Sequence, residues 1–237
     1  MSANTIHFKP RARLMLELGE QLIKNESVAI LELIKNGYDA FASTVIVELL
    51  NLDDIERGSI IIQDNGIGMS RDTVENHWME PATSNKKKII DECKEPIERN
   101  GIRRVPLGEK GIGRFGAHKL GNHIRLISKS EDSEYEVFFE INWNDFNTDR
   151  YLDEIEVQIY ERSPEIFVDG ATGTRIEIDC LKHRWLKAEF RNVYKNILTL
   201  NSPFKSNDSF KVEVKTTHQE WIKDLLKYEK FVDQALF

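Results

Sequence analysis

A chain of 237 residues, 40% of them hydrophobic, is long enough for one large domain or two small ones with a sizeable core. Its formal net charge of −7 argues against a stand-alone nucleic-acid-binding protein, which usually carries a basic surplus. Cys93 and Cys180 form no metal-binding spacing or disulfide framework, and the chain shows no signal peptide or membrane-spanning run, so we expect a soluble, cytoplasmic protein without a membrane partner.

The first part of the chain predicts two helices followed by two strands. Apolar residues at intervals of three and four indicate helices over 11–23 and 26–41, the second starting near Asn25 or Glu26. The β-branched runs over 43–50 and 58–64 predict two strands that a polar loop connects. Ser70 is suited to begin a short helix that continues to about residue 79.

The second part of the chain predicts mainly strands. From about 80 to 110 the periodicity fades, which predicts a long, mobile loop with a function such as a lid. We then expect a helix over 113–121 that Gly121 closes, and afterwards a helix beyond Trp185, a strand over 210–215 and a final amphipathic helix over 220–237. Four strands are expected between those helices, over 123–130, 135–142, 154–160 and 174–179. This order predicts an α+β fold, a two-layer α/β sandwich whose mixed sheet has helices on one face.

A polar stripe runs along the second predicted helix. Glu32, Asn36 and Asp39 lie at i, i+4 and i+7, the spacing that places side chains on one side of a helix. A solvent-exposed helix face would explain the stripe without any function, since charged residues are mostly exposed. A second explanation is a polar site beside the core, in which Asn36 holds Mg²⁺ and Glu32 orients and deprotonates a water.

Two glycine-rich stretches follow predicted secondary structure. "DNGIGM", residues 64–69, comes directly after a strand, where turn chemistry alone would explain its glycines. "GEKGIGRFGAHKLG", residues 108–121, leads into a helix, and its glycines let backbone amides approach phosphate oxygens. A Rossmann motif is excluded because no strand of a βαβ unit precedes it. Asp64 could accept a hydrogen bond from an exocyclic amine, and Met69 offers an apolar surface to a flat ring.

The order of "ELIKNGYDA", "DNGIGM", "GEKGIGRFG" and "GTRIEI" resembles the GHKL superfamily over roughly residues 26–179. This superfamily contains DNA gyrase B subunits, ninety-kilodalton heat-shock chaperones, histidine kinases and MutL proteins, with the MORC proteins close by. The resemblance implies the Bergerat fold, in which ATP or ADP lies with Mg²⁺ between helices and the sheet under a flexible lid.

The resemblance also implies individual roles. Glu32 would be the general base and Asn36 the magnesium ligand, while Asp64 would bind the adenine amino group and Thr174 would support it directly or through water. Gly66 and Gly68 would shape the turn, Met69 would pack by the base, and the second glycine-rich stretch would hold the phosphates. The full set of residues expected to contact the nucleotide or its metal is Asn36, Asp39, Asp64, Gly66, Gly68, Met69, Thr83, Ser84, Lys110, Gly111, Ile112, Gly113, Arg114, Phe115, Gly116 and Thr174.

The branch of the superfamily stays open. "ATSNK", residues 82–86, resembles the lid segment of MutL-type and gyrase-type proteins, whereas "GEKGIGRF" is similar to the chaperone pattern. The presence of Glu32 favours hydrolysis over phosphotransfer of the histidine-kinase type. A non-hydrolysing nucleotide-sensing module is a further alternative.

The resemblance implies an ATP-binding domain over 1–180, with a lid at about 80–110, and a slow ATPase that closes its lid on ATP. Residues 181–237 would form an extension that leads into a domain absent from this chain. In the family, the closed state favours an ATP-dependent homodimer through N-terminal segments. The sequence does not name a client protein or show whether DNA is bound.

Overall fold

A helical layer covers one face of a mixed β-sheet in the computed structural model. The structure describes residues 5–80, 97–99, 101–107, 115–201 and 210–223. The α+β class and the two-layer architecture expected from the sequence are therefore confirmed. None of the helices in these ranges is long and apolar enough to cross a lipid bilayer.

The helices start where capping residues are available. Asn25 Oδ1 accepts from the Val28 amide at 3.0 Å and begins the second helix, while Ser70 Oγ accepts from the Thr73 amide at 3.2 Å and begins the third. Both starts agree with the sequence prediction. The described helices are α1 (Arg13–Leu22), α2 (Glu26–Asp39), α3 (Arg71–Thr73, continued by a π-helical turn Val74–Trp78), α4 (Phe115–Leu120), α5 (Lys187–Asn201) and α6 (Gln219–Lys223).

Among the described residues, seven strands form one sheet in the order β7-β6-β5-β8-β2-β1-β9, and a separate hairpin pairs β3 with β4. The β1–β9 pair is parallel and every other pair is antiparallel. The strands are β1 (Thr44–Leu50), β2 (Ser59–Asp64), β3 (Ile97–Arg99), β4 (Ile102–Arg104), β5 (Gly121–Lys129), β6 (Glu136–Asn142), β7 (Ile159–Arg162), β8 (Gly173–Leu181) and β9 (Lys211–Thr216).

The strand register sorts the covered face of the sheet into rows of side chains. Two successive rows across β1, β2, β8, β5 and β6 are entirely apolar: Leu49, Ile60, Ile178, Ile124 and Ile141, then Val47, Ile62, Ile176, Leu126 and Phe139. The next row reads Val45, Asp64, Thr174, Ser128 and Val137. Three adjacent polar side chains, which we call the polar row, thus end an otherwise apolar face.

Two predicted boundaries were wrong. Gly121 does not close a helix but begins β5, and a Cβ there would lie 2.5 Å from the Asp179 carbonyl oxygen, so the glycine permits close approach to β8. The strand expected over 154–160 shrinks to β7, which begins at Ile159. Leu152–Glu154 is instead a 3₁₀ turn, which the Glu154 carboxylate holds by accepting from the Tyr151 amide at 2.6 Å.

The predicted long loop contains regular structure where it is described. β3 and β4 form a hairpin around Gly101, whose φ of +77° is suited to glycine. The expectation of an irregular loop was therefore wrong for residues 97–99 and 101–104. The hairpin is too short to show a period in the sequence, and long-range contacts described below hold it. Residues 81–96, 100 and 108–114 lie outside the described residues.

The chain after residue 181 adds to the same two layers. β9 pairs with β1 at the edge of the sheet, and α5 packs against α2 and β9. The strand predicted over 210–215 and the helix predicted beyond Trp185 are confirmed as β9 and α5. The described part of the last predicted helix is α6, and residues 224–237 lie outside the described ranges.

Candidate functional site

Asp64 is the only carboxylate of the polar row. Its side chain is partly exposed, and its Oδ1 accepts from the Gly66 amide at 2.8 Å and from the Thr174 amide at 3.3 Å. Burial raises the pKa of Asp64 from 3.8 to about 6, although both amide bonds lower it. The carboxylate is therefore ionised at neutral pH but weakly solvated, which suits it to accept a hydrogen bond from a ligand.

The turn after β2 needs glycine for physical reasons. A Cβ on Gly68, whose φ is +65°, would lie 1.9 Å from the Lys129 carbonyl oxygen, and one on Gly66 would lie 2.5 Å from the Ala40 carbonyl oxygen. The same Ala40 oxygen accepts from the Ile67 amide at 2.9 Å. The turn is thus clamped between the end of α2 and the end of β5. The structure places Gly66 and Gly68 in this turn, directly after Asp64.

Ser128 is a member of the polar row that the sequence analysis did not select. Its side chain is fully buried, and its Oγ accepts from the Met69 amide at 2.8 Å and donates to the Gly173 carbonyl at 2.9 Å. It also lies 2.9 Å from the Thr174 hydroxyl oxygen. The alternation Ile124, Leu126, Ser128 in the predicted strand placed this serine on the core face and could have revealed it.

Helix α2 approaches the polar row through a glycine that the sequence reasoning did not select. A Cβ on Gly37 would lie 2.8 Å from Val45 Cγ2 and 3.0 Å from Asp64 Cβ, so any larger residue would push the helix away. Asn36 precedes this glycine, and its side chain has no hydrogen-bond partner within the described ranges. Its amide oxygen is therefore available to a ligand that reaches this side of α2.

Glu32 lies one turn earlier on the same stripe. Its side chain is 25% exposed, and its carboxylate contacts Lys35 Nζ at 2.7 Å. The stripe is therefore neither a fully solvated face nor part of the core. The Glu32 carboxylate therefore has a structural partner, Lys35, in addition to the catalytic role expected from the sequence.

Asp39, which the sequence analysis expects to line the nucleotide pocket, has a structural partner. Its Oδ1 accepts from the Leu107 amide at 2.7 Å, which fastens the segment after β4 to the end of α2. Arg104 strengthens this attachment: its side chain is buried and donates to the Tyr38 carbonyl at 2.7 Å. The guanidinium lies over the Tyr38 ring, 4.3 Å from its centre, with the Phe210 ring centre at 5.4 Å. No sequence signal marked Arg104, because its partners are distant along the chain.

Several predicted phosphate-binding residues cannot be placed. Gly116 is described, and a Cβ there would lie 3.1 Å from the Ala29 carbonyl oxygen, so this glycine lets α4 pack closely on α2. Phe115 begins α4, but its side chain is not described. The remaining members lie outside the described residues: Thr83, Ser84, Lys110, Gly111, Ile112, Gly113 and Arg114.

Neither of two clefts formed by described residues is lined by the polar row. One of about 320 Å³ lies between the start of α2 and α5, with Ser27, Trp185 and Asn196 in its wall. Another of about 160 Å³ lies beside the Gly66 turn, next to Phe41 and Thr172. We place the candidate site on the polar row nonetheless, because the weakly solvated carboxylate of Asp64 lies there beside the glycine turn. Within the described ranges, no group of three or more His, Cys, Asp or Glu side chains could hold a metal ion.

Comparison with known proteins gives a family match over the same elements. Residues 24–174 match the family model described as "Histidine kinase-, DNA gyrase B-, and HSP90-like ATPase". This range starts just before α2 and ends at Thr174, so it includes the whole polar row and the polar stripe.

Similar curated proteins carry the names of heat-shock proteins and chaperones. The chain is 26% identical over 155 residues to an endoplasmin homolog of Leishmania donovani, covering 57% of this chain and 20% of that protein. It is 28% identical over 144 residues to the mitochondrial 75 kDa heat shock protein of Bos taurus, covering 56% and 20%. Against the chaperone protein HtpG of Orientia tsutsugamushi, identity is 23% over 247 residues, covering 83% and 39%. The matched regions thus span a fifth to two fifths of the length of these relatives.

Proposed function

Because this chain belongs to the family of histidine kinase-, DNA gyrase B- and HSP90-like ATPases, we propose that it binds ATP with Mg²⁺ and hydrolyses it slowly. Membership of this GHKL-type family supports ATP binding in general. The finer proposal is that nucleotide binding closes the predicted lid and drives dimerisation, as in a chaperone-like or DNA-repair- or defence-like protein.

The polar row is the observation that carries this proposal. Asp64 interrupts an apolar sheet face at the point where α2, the glycine turn and β8 meet, and it accepts from two backbone amides. A carboxylate that has lost much of its solvent stabilises the fold poorly, so a ligand group that donates to it offers a reason for its presence. The exocyclic amine of adenine is such a donor.

The residues of the stripe fit a magnesium–triphosphate beside that base. Asn36 would hold Mg²⁺ through its unpaired amide oxygen, with water and phosphate oxygens as the other ligands, so no cage of protein carboxylates is needed. When bound, the ion would neutralise phosphate charge. Glu32 would orient the attacking water and accept its proton through Oε2, since the contact with Lys35 uses Oε1.

The names of the similar proteins favour the chaperone-like branch of the family, and two alternatives differ from it in what happens to ATP. A histidine-kinase-type domain would transfer phosphate without using Glu32 as a base. A nucleotide-sensing module would bind ATP without releasing phosphate. The domain boundary at residue 180, the lid over 80–110 and the homodimer remain predictions of this proposal.

The test is to measure ATP affinity by calorimetry and phosphate release in parallel, with Mg²⁺ present. Glu32→Ala is expected to bind ATP with nearly unchanged affinity and to lose at least about tenfold in turnover, since a positioned general base contributes about 10²–10⁴-fold. Glu26→Ala removes the same charge from the first turn of the same helix and serves as the control. Phosphate release that survives in Glu32→Ala would reject Glu32 as the base, whereas γ-phosphate that stays on the protein in Glu32→Ala would favour phosphotransfer.

The remaining alternatives have their own outcomes. Saturable ATP binding without phosphate release by the wild type would favour the sensing module. Sedimentation with and without a non-hydrolysable ATP analogue tests the homodimer, and a monomer in both conditions would reject it.

A further inference from the structure

Ser128 lies at the end of the polar row, where its buried side chain supports residues expected to meet the nucleotide. Its hydroxyl has three neighbours at hydrogen-bond distance: the Met69 amide, the Gly173 carbonyl and the Thr174 hydroxyl. A serine hydroxyl has one proton to donate and two lone pairs with which to accept. The direction of all three bonds can therefore be worked out.

The Met69 amide and the Gly173 carbonyl fix the direction of each hydrogen bond to Ser128. The Met69 amide can only donate, so it uses one lone pair of Ser128 Oγ. The Gly173 carbonyl can only accept, so it takes the single Ser128 proton. The third bond, 2.9 Å long, must then be donated by the Thr174 hydroxyl to Ser128. This commits the only hydroxyl proton of Thr174 and leaves its oxygen as an acceptor.

Asp64 presents a second acceptor beside Thr174. Both backbone amides donate to its Oδ1, and its Oδ2 has no hydrogen-bond partner among the described residues. Asp64 and Thr174 are direct partners in the β2–β8 register, which places neighbouring side chains on one face roughly 5 Å apart. A ligand that reaches this edge meets two acceptors and no side-chain donor from the polar row.

We infer that Ser128 is a positioning residue that makes the polar row selective for a purine nucleotide with a 6-amino group, by holding the Thr174 hydroxyl as an acceptor. This inference rests on the proposed function and names the substrate group that the site selects. A 6-oxo purine would place its carbonyl oxygen against an acceptor that the 6-amino group would satisfy, so this pair stays unbonded even where its N1–H donates to the other acceptor. Such a mismatch commonly costs about tenfold or more in affinity.

The experiment compares the affinities of ATP and inosine triphosphate, which carries oxygen in place of the 6-amino group and a proton on N1. Calorimetry on the wild type should show ATP binding at least about tenfold more tightly. Ser128→Ala frees the Thr174 hydroxyl to donate, so the preference for ATP should fall at least about threefold. Thr172→Val is the control: Thr172 donates to the Gly66 carbonyl at 2.7 Å in the same region but does not touch Thr174. It should change both affinities together and leave their ratio unchanged.

A double-mutant cycle separates positioning from mere support of the fold. If Ser128 acts through Thr174, Ser128→Ala should have no further effect on the ratio in a Thr174→Val background. Equal effects of Ser128→Ala in both backgrounds would overturn the inference. If Ser128→Ala does not fold, the same measurements are made on Ser128→Cys, whose side chain is close in size to serine and whose sulfur is only a weak acceptor.

Two results separate the role of Ser128 from the proposed function. Saturable ATP binding with an ATP preference that Ser128→Ala leaves intact overturns the role of Ser128 alone. Absence of saturable ATP binding by the folded wild type overturns the role of Ser128 together with the proposed function.

Discussion

Replacing Asp64 by asparagine should stabilise the ligand-free protein while it weakens nucleotide binding. The amide oxygen of the new side chain can still accept from the Gly66 and Thr174 amides, so the turn keeps its hydrogen bonds. The substitution removes the charge that burial disfavours. It also places an amide donor where Oδ2 now offers an acceptor, which opposes binding of an amino group.

The expected gain follows from the pKa of Asp64. Burial raises it from 3.8 to about 6, so between these pH values the folded protein holds a proton that the unfolded chain has lost. Stability therefore falls as the pH rises from about 4 to 6 and stays lower above that range. At about 1.4 kcal/mol for each tenfold change in proton affinity, the full loss is about 3 kcal/mol. Because the side chain is partly exposed, solvent reduces this value, and we expect Asp64→Asn to gain about 1–3 kcal/mol at a pH of about 7.5.

Urea denaturation of wild type and Asp64→Asn at pH values of about 7.5 and 4.5 measures this gain. The stability difference should be largest at the higher pH and shrink by more than half at the lower one, where Asp64 in the folded protein is protonated. Asp72→Asn is the control, since Asp72 lies on exposed α3 and its loss of charge should leave stability within about 0.5 kcal/mol. An Asp64→Asn protein that is less stable than the wild type at the higher pH would refute the reasoning.

Two further substitutions test the surroundings of the site. Gly68→Ala should unfold the turn or lower the free energy of unfolding by more than about 3 kcal/mol, because its Cβ would overlap the Lys129 carbonyl. Gly101→Ala, also at positive φ but with open space around it, should cost only about 1 kcal/mol in thermal or urea denaturation. Equal costs would show that backbone strain alone matters at Gly68. Arg104→Ala should cost about 2–4 kcal/mol, since it empties a buried volume and leaves the Tyr38 carbonyl without this donor, and it should speed amide exchange in 101–107. The exposed neighbour Arg103 provides the control, and an equal loss in Arg103→Ala would contradict a specific role of Arg104.

Local patterns predicted most of the elements because they report local physics. The three- and four-residue spacing of α2 and the alternation of β2 and β5 follow from which side faces the core. The candidate site residues Asp64, Gly66, Gly68 and Thr174 could be selected from the sequence because they lie at a strand end, in a turn or near a strand start next to such elements. That these residues lie close together in space was expected only from the resemblance, and the register of β2 with β8 shows it for Asp64 and Thr174.

What the sequence could not show depends on contacts between distant segments. Arg104 lies in a short hairpin without periodicity, and its partners Tyr38 and Phe210 are far away along the chain. The hydrogen bond from the Leu107 amide to Asp39 was not predictable for the same reason. Gly121 looked like a helix end, because glycine is common there, while the close approach of β8 that requires it is a tertiary feature.

The aromatic enclosure of Arg104 also constrains the order of folding. Tyr38 lies at the end of α2, Arg104 ends the hairpin, and Phe210 precedes β9, so the enclosure joins three segments that the chain supplies at very different times during synthesis. Closing such long loops is slow, because their entropy is lost before the contacts compensate for it. In a nascent chain that does not yet include β9, the Arg104 guanidinium would lack its contact with the Phe210 ring. The hairpin should therefore acquire protection from solvent exchange late in refolding, together with β9 and after the β5–β8 core.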